Sequence, residues 1–156
     1  MNDLDNAAVL SQRLRIMQII ALAIVSGAMI FLAIAVLMPP LGGRAADAEP
    51  TLTWIALAGA PIQALLALLM PDRIARQQRR SLQGTPLQVG AGTFQVRLII
   101  RLALLEGGVF FALIAYLVER QWPALAAAVV LMALMAASFP TRDRLETWIN
   151  ERGERE

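Results

Sequence analysis

At 156 residues the chain is one domain's worth, and 58% of it is apolar, against roughly 45–50% in soluble domains. It contains no Cys and no His, and all fourteen basic residues are Arg, which excludes disulfides, thiolate or imidazole metal sites, thiol or imidazole catalysts and lysine Schiff-base chemistry. The net charge is only +2, and the arginines flank apolar runs, so they read as membrane-orientation signals before nucleic-acid contacts.

Residues 1–16 place Leu4, Ala7, Leu10 and Leu14 near one helical face, with acids early and Arg13 and Arg15 late. That order suits the helix dipole and predicts a short interfacial helix. The first span, 17–38, is 22 residues without a charge, about the 20 needed to cross a bilayer. It is too long for the hydrophobic core of a signal peptide, and the small-residue site Ala46-Asp47-Ala48 lies well beyond it, so a retained anchor is expected. Ala23 and Gly27 offer a small-residue strip for another helix. Pro39-Pro40 stops the span.

Thr51 or Thr53 can cap the second span, 52–70, which opens with Trp54 as an interfacial anchor and carries Pro61 and Gln63. Pro71 is expected to begin a cytoplasmic loop over 71–96. Its first half crowds Arg73, Arg76, Arg79 and Arg80 into a possible interfacial helix over 72–83. Its second half, with Gly84, Pro86, Gly90 and Gly92, reads as a turn-rich connector. Thr93 then reads as the N-cap of a helix over 94–119, with 97–118 spanning. Glu119 to Trp122 form a short turn before a fourth, Ala-rich span over 123–139, at the lower length limit for crossing. In the tail, 140–156, Leu145, Trp148 and Ile149 share a face, which suits a surface helix.

The expected fold is therefore all-α: a single membrane domain over 1–156, a four-helix transmembrane bundle with short interfacial helices. Arg13, Arg15, the six arginines from Arg73 to Arg101 and the four of the tail fall on one side of it. Arg44 and Arg120 fall on the other. The positive-inside rule then puts both termini and the long loop in the cytoplasm, as in a multi-pass protein of a bacterial inner membrane.

One carboxylate breaks the third span. Glu106 lies about 15 Å from its cytoplasmic start, Gln63 about 10 Å from the cytoplasmic end of the second span and Ser26 about 13 Å into the first, at 1.5 Å per residue. Three polar side chains are thus expected in one layer. An ionised acid at that depth is costly unless it pairs or takes up a proton. Arg101 is about 140° around the helix from it and Arg97 nearly opposite, so Gln63, Ser26 or another subunit is the better partner. Ala103, Glu106, Gly107 and Phe110 share a face expected to point into the bundle. Glu106 reads either as a proton or cation site or as a hydrogen-bonding group that sets helix register.

The arginines at 73, 76, 79 and 80 read as topology determinants or as anionic-lipid contacts. That loop lacks the aromatic residues that would stack on nucleic acid. Gly107-Gly108 lacks the spacing of a nucleotide loop, and no nucleophile constellation, metal site or cofactor site is evident.

The run IIRLALLEGGVFFALIAYLVE, with FPTRDRLETWI after the fourth span, resembles segments of small four-span bacterial membrane proteins and implies architecture alone. A glutamate in a Gly/Ala-rich helix is similar to the proteolipid ring subunits of rotary ATPases, although no glycine-repeat helix precedes it here. In size the chain is similar to small multidrug transporters, whose essential membrane glutamate lies in the first span rather than the third. Two functions follow as expectations. One is a non-enzymatic structural or accessory membrane subunit, in a homo-oligomer or with other membrane subunits. The other is a small proton-coupled transporter or ion-conducting subunit centred on Glu106.

Overall fold

The structure is a computed structural model that describes residues 3–39, 49–79, 86–141, 143 and 147. Among these residues it is all-helical, with α1 over Asp3–Leu37, α2 over Thr51–Arg79, α3 over Pro86–Glu119 and α4 over Trp122–Ala137. Three helices are long and apolar enough to cross a membrane, over Ser11–Leu37, Thr51–Ile74 and Gly92–Glu119. At 24 to 28 residues each reaches about 36–42 Å, against a hydrocarbon core of about 30 Å. The fourth, with 16 residues, reaches about 24 Å.

Length alone does not make a membrane helix; the outward faces do. Leu37, Ile30, Ile19 and Leu22 on α1 are exposed, as are Ile55, Ile62, Leu65 and Leu69 on α2 and Val129 and Val130 on α4. A water-soluble bundle would turn such side chains inward. These helices are apolar nearly all round, as a bilayer requires.

The third helix is the centre of the fold. It packs on α1, α2 and α4, α2 and α4 also touch, and α1 and α2 are in marginal contact. Its buried side, Leu98, Leu102, Leu105, Val109 and Leu113, meets Ala21, Ala28 and Ala35 of α1, Ala56 and Ala67 of α2 and Ala124, Ala128 and Leu131 of α4 within one core. The outer helices thus present mostly alanine to a central helix that supplies the bulk, which lets backbones approach closely. Phe31 of α1 stands edge-on to Phe110 of α3, 5.1 Å between ring centres.

Contacts at the helix ends define an up-and-down order. At one end Gln18 donates to the carbonyl of Pro140, and Arg97 of α3 pairs with Asp72 of α2, 2.8 Å between Nε and Oδ1. At the opposite end, Glu119 and Arg120, at the α3–α4 turn, reach the end of α1 and the start of α2.

Helix α1 is continuous from Asp3, so the expected interfacial helix over 1–16 is the first part of the span's own helix where it is described. Helix α2 passes through both Pro61 and Pro71. The loop expected at 71–96 is thus helical up to Arg79 and again from Pro86. Each proline removes one backbone hydrogen bond. Pro71 is nonetheless fully buried, and the ion pair of Asp72 to Arg97 ties the helix beyond it to α3. Pro86 sits at the first turn of α3, where its missing N–H costs nothing. Thr93, expected as an N-cap, lies inside α3, and its hydroxyl donates to the carbonyl of Val89 at 2.7 Å. Residues 80–85 and most of the tail, including Leu145, Trp148 and Ile149, lie outside the described residues.

Candidate functional site

Because α1 and α2 both pack on α3 while barely touching each other, a strip of α3 stays uncovered between them. Ala103, Gly107, Phe111, Ile114 and Val118 form it, all exposed and spaced so that they fall within about 80° of the helix surface. Its walls are α1 and α2 and its floor is small at Ala103 and Gly107. No residue of this strip has a polar side chain.

Glu106 borders the strip on the α1 side. Its carboxylate leans on Gly27, where a Cβ would lie 3.8 Å from Oε1. Gln63 borders the strip on the α2 side, its amide laid across Gly107 and Gly108. A Cβ on Gly107 would lie 3.8 Å from Gln63 Nε2, and one on Gly108 would collide with the Gln63 amide oxygen. Glu106 and Gln63 therefore occupy neighbouring positions along α3, at the level of Gly27. Both are half-buried, and neither has a hydrogen-bond or ion-pair partner among the described residues.

Ser26 belongs to the same level, being the neighbour of Gly27, but it does not join them. It lies about 160° around α1 from the buried Ala28 and is exposed on the outward face, with Ala23 beside it. Its hydroxyl makes no hydrogen bond among the described residues. Of the face expected to point into the bundle, Phe110 reaches Phe31 and Glu106 reaches α1, whereas Ala103 and Gly107 face outward. The reason is the weak contact of α1 with α2, which leaves α3 covered on three sides only.

Of the arginine group, Arg73 is exposed on α2, Arg76 and Arg79 lie on its last turns and Arg80 is outside the described residues. Arg97 is held by Asp72.

A second polar group lies at the other end of the bundle, where the sequence predicts only a short turn. Both carboxylate oxygens of Glu119 accept backbone N–H groups at the start of α2, from Leu52 at 2.7 Å and Thr53 at 2.8 Å. Arg120 donates to the carbonyls of Ala35, at 3.1 Å, and Met38, at the end of α1. Its guanidinium also lies 5.1 Å from the centre of the Tyr116 ring. Two adjacent residues thus close two helix ends, the acid at a positive N-terminus and the base at a negative C-terminus. Arg120 adopts φ 52°, a left-handed conformation costing about 1–2 kcal/mol without glycine, and these contacts offset it.

A groove of about 400 Å³ lies between α2 and α4, lined by Leu57, Pro61, Ala64, Trp122, Val130 and Leu134 among others. All its side chains are apolar apart from the indole N–H of Trp122. It offers hydrocarbon a surface and a polar ligand nothing to bind.

No family model, no curated protein and no solved structure matches the chain.

Proposed function

We propose that this chain is a non-enzymatic accessory subunit of a bacterial inner membrane, spanning it four times with both termini in the cytoplasm. Its α1–α2 cleft receives a transmembrane partner. The observation that carries this reading is Glu106: a carboxylate at mid-span, beside an uncovered apolar strip, with no hydrogen bond or ion pair among the described residues. A polar group in hydrocarbon finds a partner or takes up a proton. Here the open side of the cleft supports a partner from another helix, with Gln63 a second hydrogen-bonding group on the opposite wall. Small floor residues at Ala103 and Gly107 admit a close helix backbone. An apolar floor does not hold the file of water that conduction through the site would need.

The test uses the purified protein in two settings. In vesicles with an imposed pH gradient, wild type and Glu106→Gln should leave the gradient to decay as in protein-free vesicles. In mild-detergent extracts of membranes, Glu106→Leu should run at a smaller assembly size than wild type. Proton flux that Glu106→Gln abolishes would overturn the reading in favour of a proton-coupled transporter or ion-conducting subunit.

A further inference from the structure

Glu106 and Ser26 face different surroundings at one depth. A Cβ on Gly27 would lie 3.8 Å from the Glu106 carboxylate, and Ser26 is one residue, about 1.5 Å of rise, from Gly27, so the two polar groups lie near one level. Within one chain the two cannot meet, because Ser26 is on the far side of α1. One is an acceptor, or a donor when protonated, on the wall of a cleft; the other is a hydroxyl on an outward face. Both lack a hydrogen bond within the described chain, and neither finds a substitute in hydrocarbon.

We propose that the cleft's partner is a second copy of the chain: the outward face of α1 of one copy seats between α1 and α2 of the next, and its Ser26 bonds to Glu106 there. This rests on the reading of the cleft given above. Three features fit it. Copies inserted with one orientation have α1 of one parallel to α3 of the next, because α1 and α3 run the same way in the up-and-down order, so depth is matched automatically. The docking strips are small on both sides, Ala23 and Ser26 against Ala103 and Gly107, which permits close parallel packing. The remaining contact is apolar, with Ile30 and Ala33, both exposed on α1, at the depth of Phe111 and Ile114. The contact joins two different surfaces, so it is head-to-tail and generates a closed ring, or a row if the rotation does not close.

The absence of cysteine allows a clean test. Ser26→Cys and Ala103→Cys are made in separately tagged chains, co-expressed, and oxidised in membranes with a membrane-permeant catalyst. The expected result is a mixed disulfide carrying both tags, together with a ladder of multimers from the Ser26→Cys/Ala103→Cys double variant. Val129→Cys on the outward face of α4 should give no mixed product with either. A second measurement, assembly size in lipid nanodiscs, should fall to the monomer in Ser26→Leu. Monomer alone, or Ser26→Cys linked only to itself, would overturn the proposal. That failure leaves the accessory-subunit reading intact, since a different partner helix could fill the cleft. Only Glu106-dependent proton flux removes that reading.

Discussion

Gly107 and Gly108 look alike as a pair but sit in different surroundings. Gly107 belongs to the open strip, and a methyl group there meets Gln63 at an ordinary contact distance of 3.8 Å. At Gly108 the same methyl would collide with the Gln63 amide and come within 2.9 Å of Leu131 Cδ1, so α2 and α4 both close on this point. Gly108→Ala should therefore destabilise the fold by about 1–3 kcal/mol, the usual range for overpacking. The added Gln63→Ala should recover part of that loss by removing the more severe obstacle. Gly59→Ala, with nothing within 4 Å, is the control and should be neutral or slightly stabilising. Thermal or SDS unfolding of the detergent-solubilised protein measures all three. An unchanged Gly108→Ala would mean that the Gln63 amide and the Leu131 methyl swing aside at little cost. Glu106 itself was legible as a singular residue, because a charge in an apolar run needs no structure to be noticed. Ser26 was not: its depth followed from residue counting, but its direction depends on which face of α1 meets α3, and an α1 apolar all round carries no such mark.

The same contrast holds for the helices. Four apolar segments were visible because each is a continuous run bounded by charges or prolines. Their ends depart from the local pattern where prolines and glycines suggest breaks, at Pro71 and at Gly90 to Thr93, because both helices run through these residues. There the α2–α3 interface and the Asp72–Arg97 pair outweigh local propensity. The clamp at Glu119 and Arg120 was illegible for a different reason. It acts across 67 and 85 residues of sequence, so no local pattern announces it. Its consequence is testable on the elements it closes. Glu119→Ala leaves two N–H groups at the start of α2 without their acceptor and should cost about 1 kcal/mol, as loss of an N-cap does. Amide exchange should accelerate at Leu52 and Thr53 and not at the end of α1. Arg120→Ala should loosen the last turn of α1 and leave the start of α2 protected. If either variant frays both helix ends equally, the two residues do not divide the work as their hydrogen bonds show.

For the whole molecule, the shortest helix decides the topology. With α4 crossing, the tail joins the arginine-rich end; without it, the tail stays beside the Arg120 turn. At about 24 Å α4 is shorter than the bilayer core and needs local thinning or help at its ends. Two features supply that help. Trp122, 74% exposed at its first residue, suits headgroup depth. At the other end the chain after α4 meets Gln18, so Pro140 lies alongside the entering half of α1, well away from the turn where α4 began. The proposed crossing of α4 agrees with the charge pattern of the sequence, since it would set twelve arginines on one side against Arg44 and Arg120 on the other. A reporter active only outside the cytoplasm should be silent when fused after Glu156 or inserted at 81–85, and active when inserted at 41–48. Replacing Arg73, Arg76, Arg79 and Arg80 by Gln should leave that pattern unchanged, because eight arginines still outweigh two. An active reporter after Glu156 with a silent one at 81–85 would show that α4 does not cross. In that event the chain has three spans and its tail lies outside.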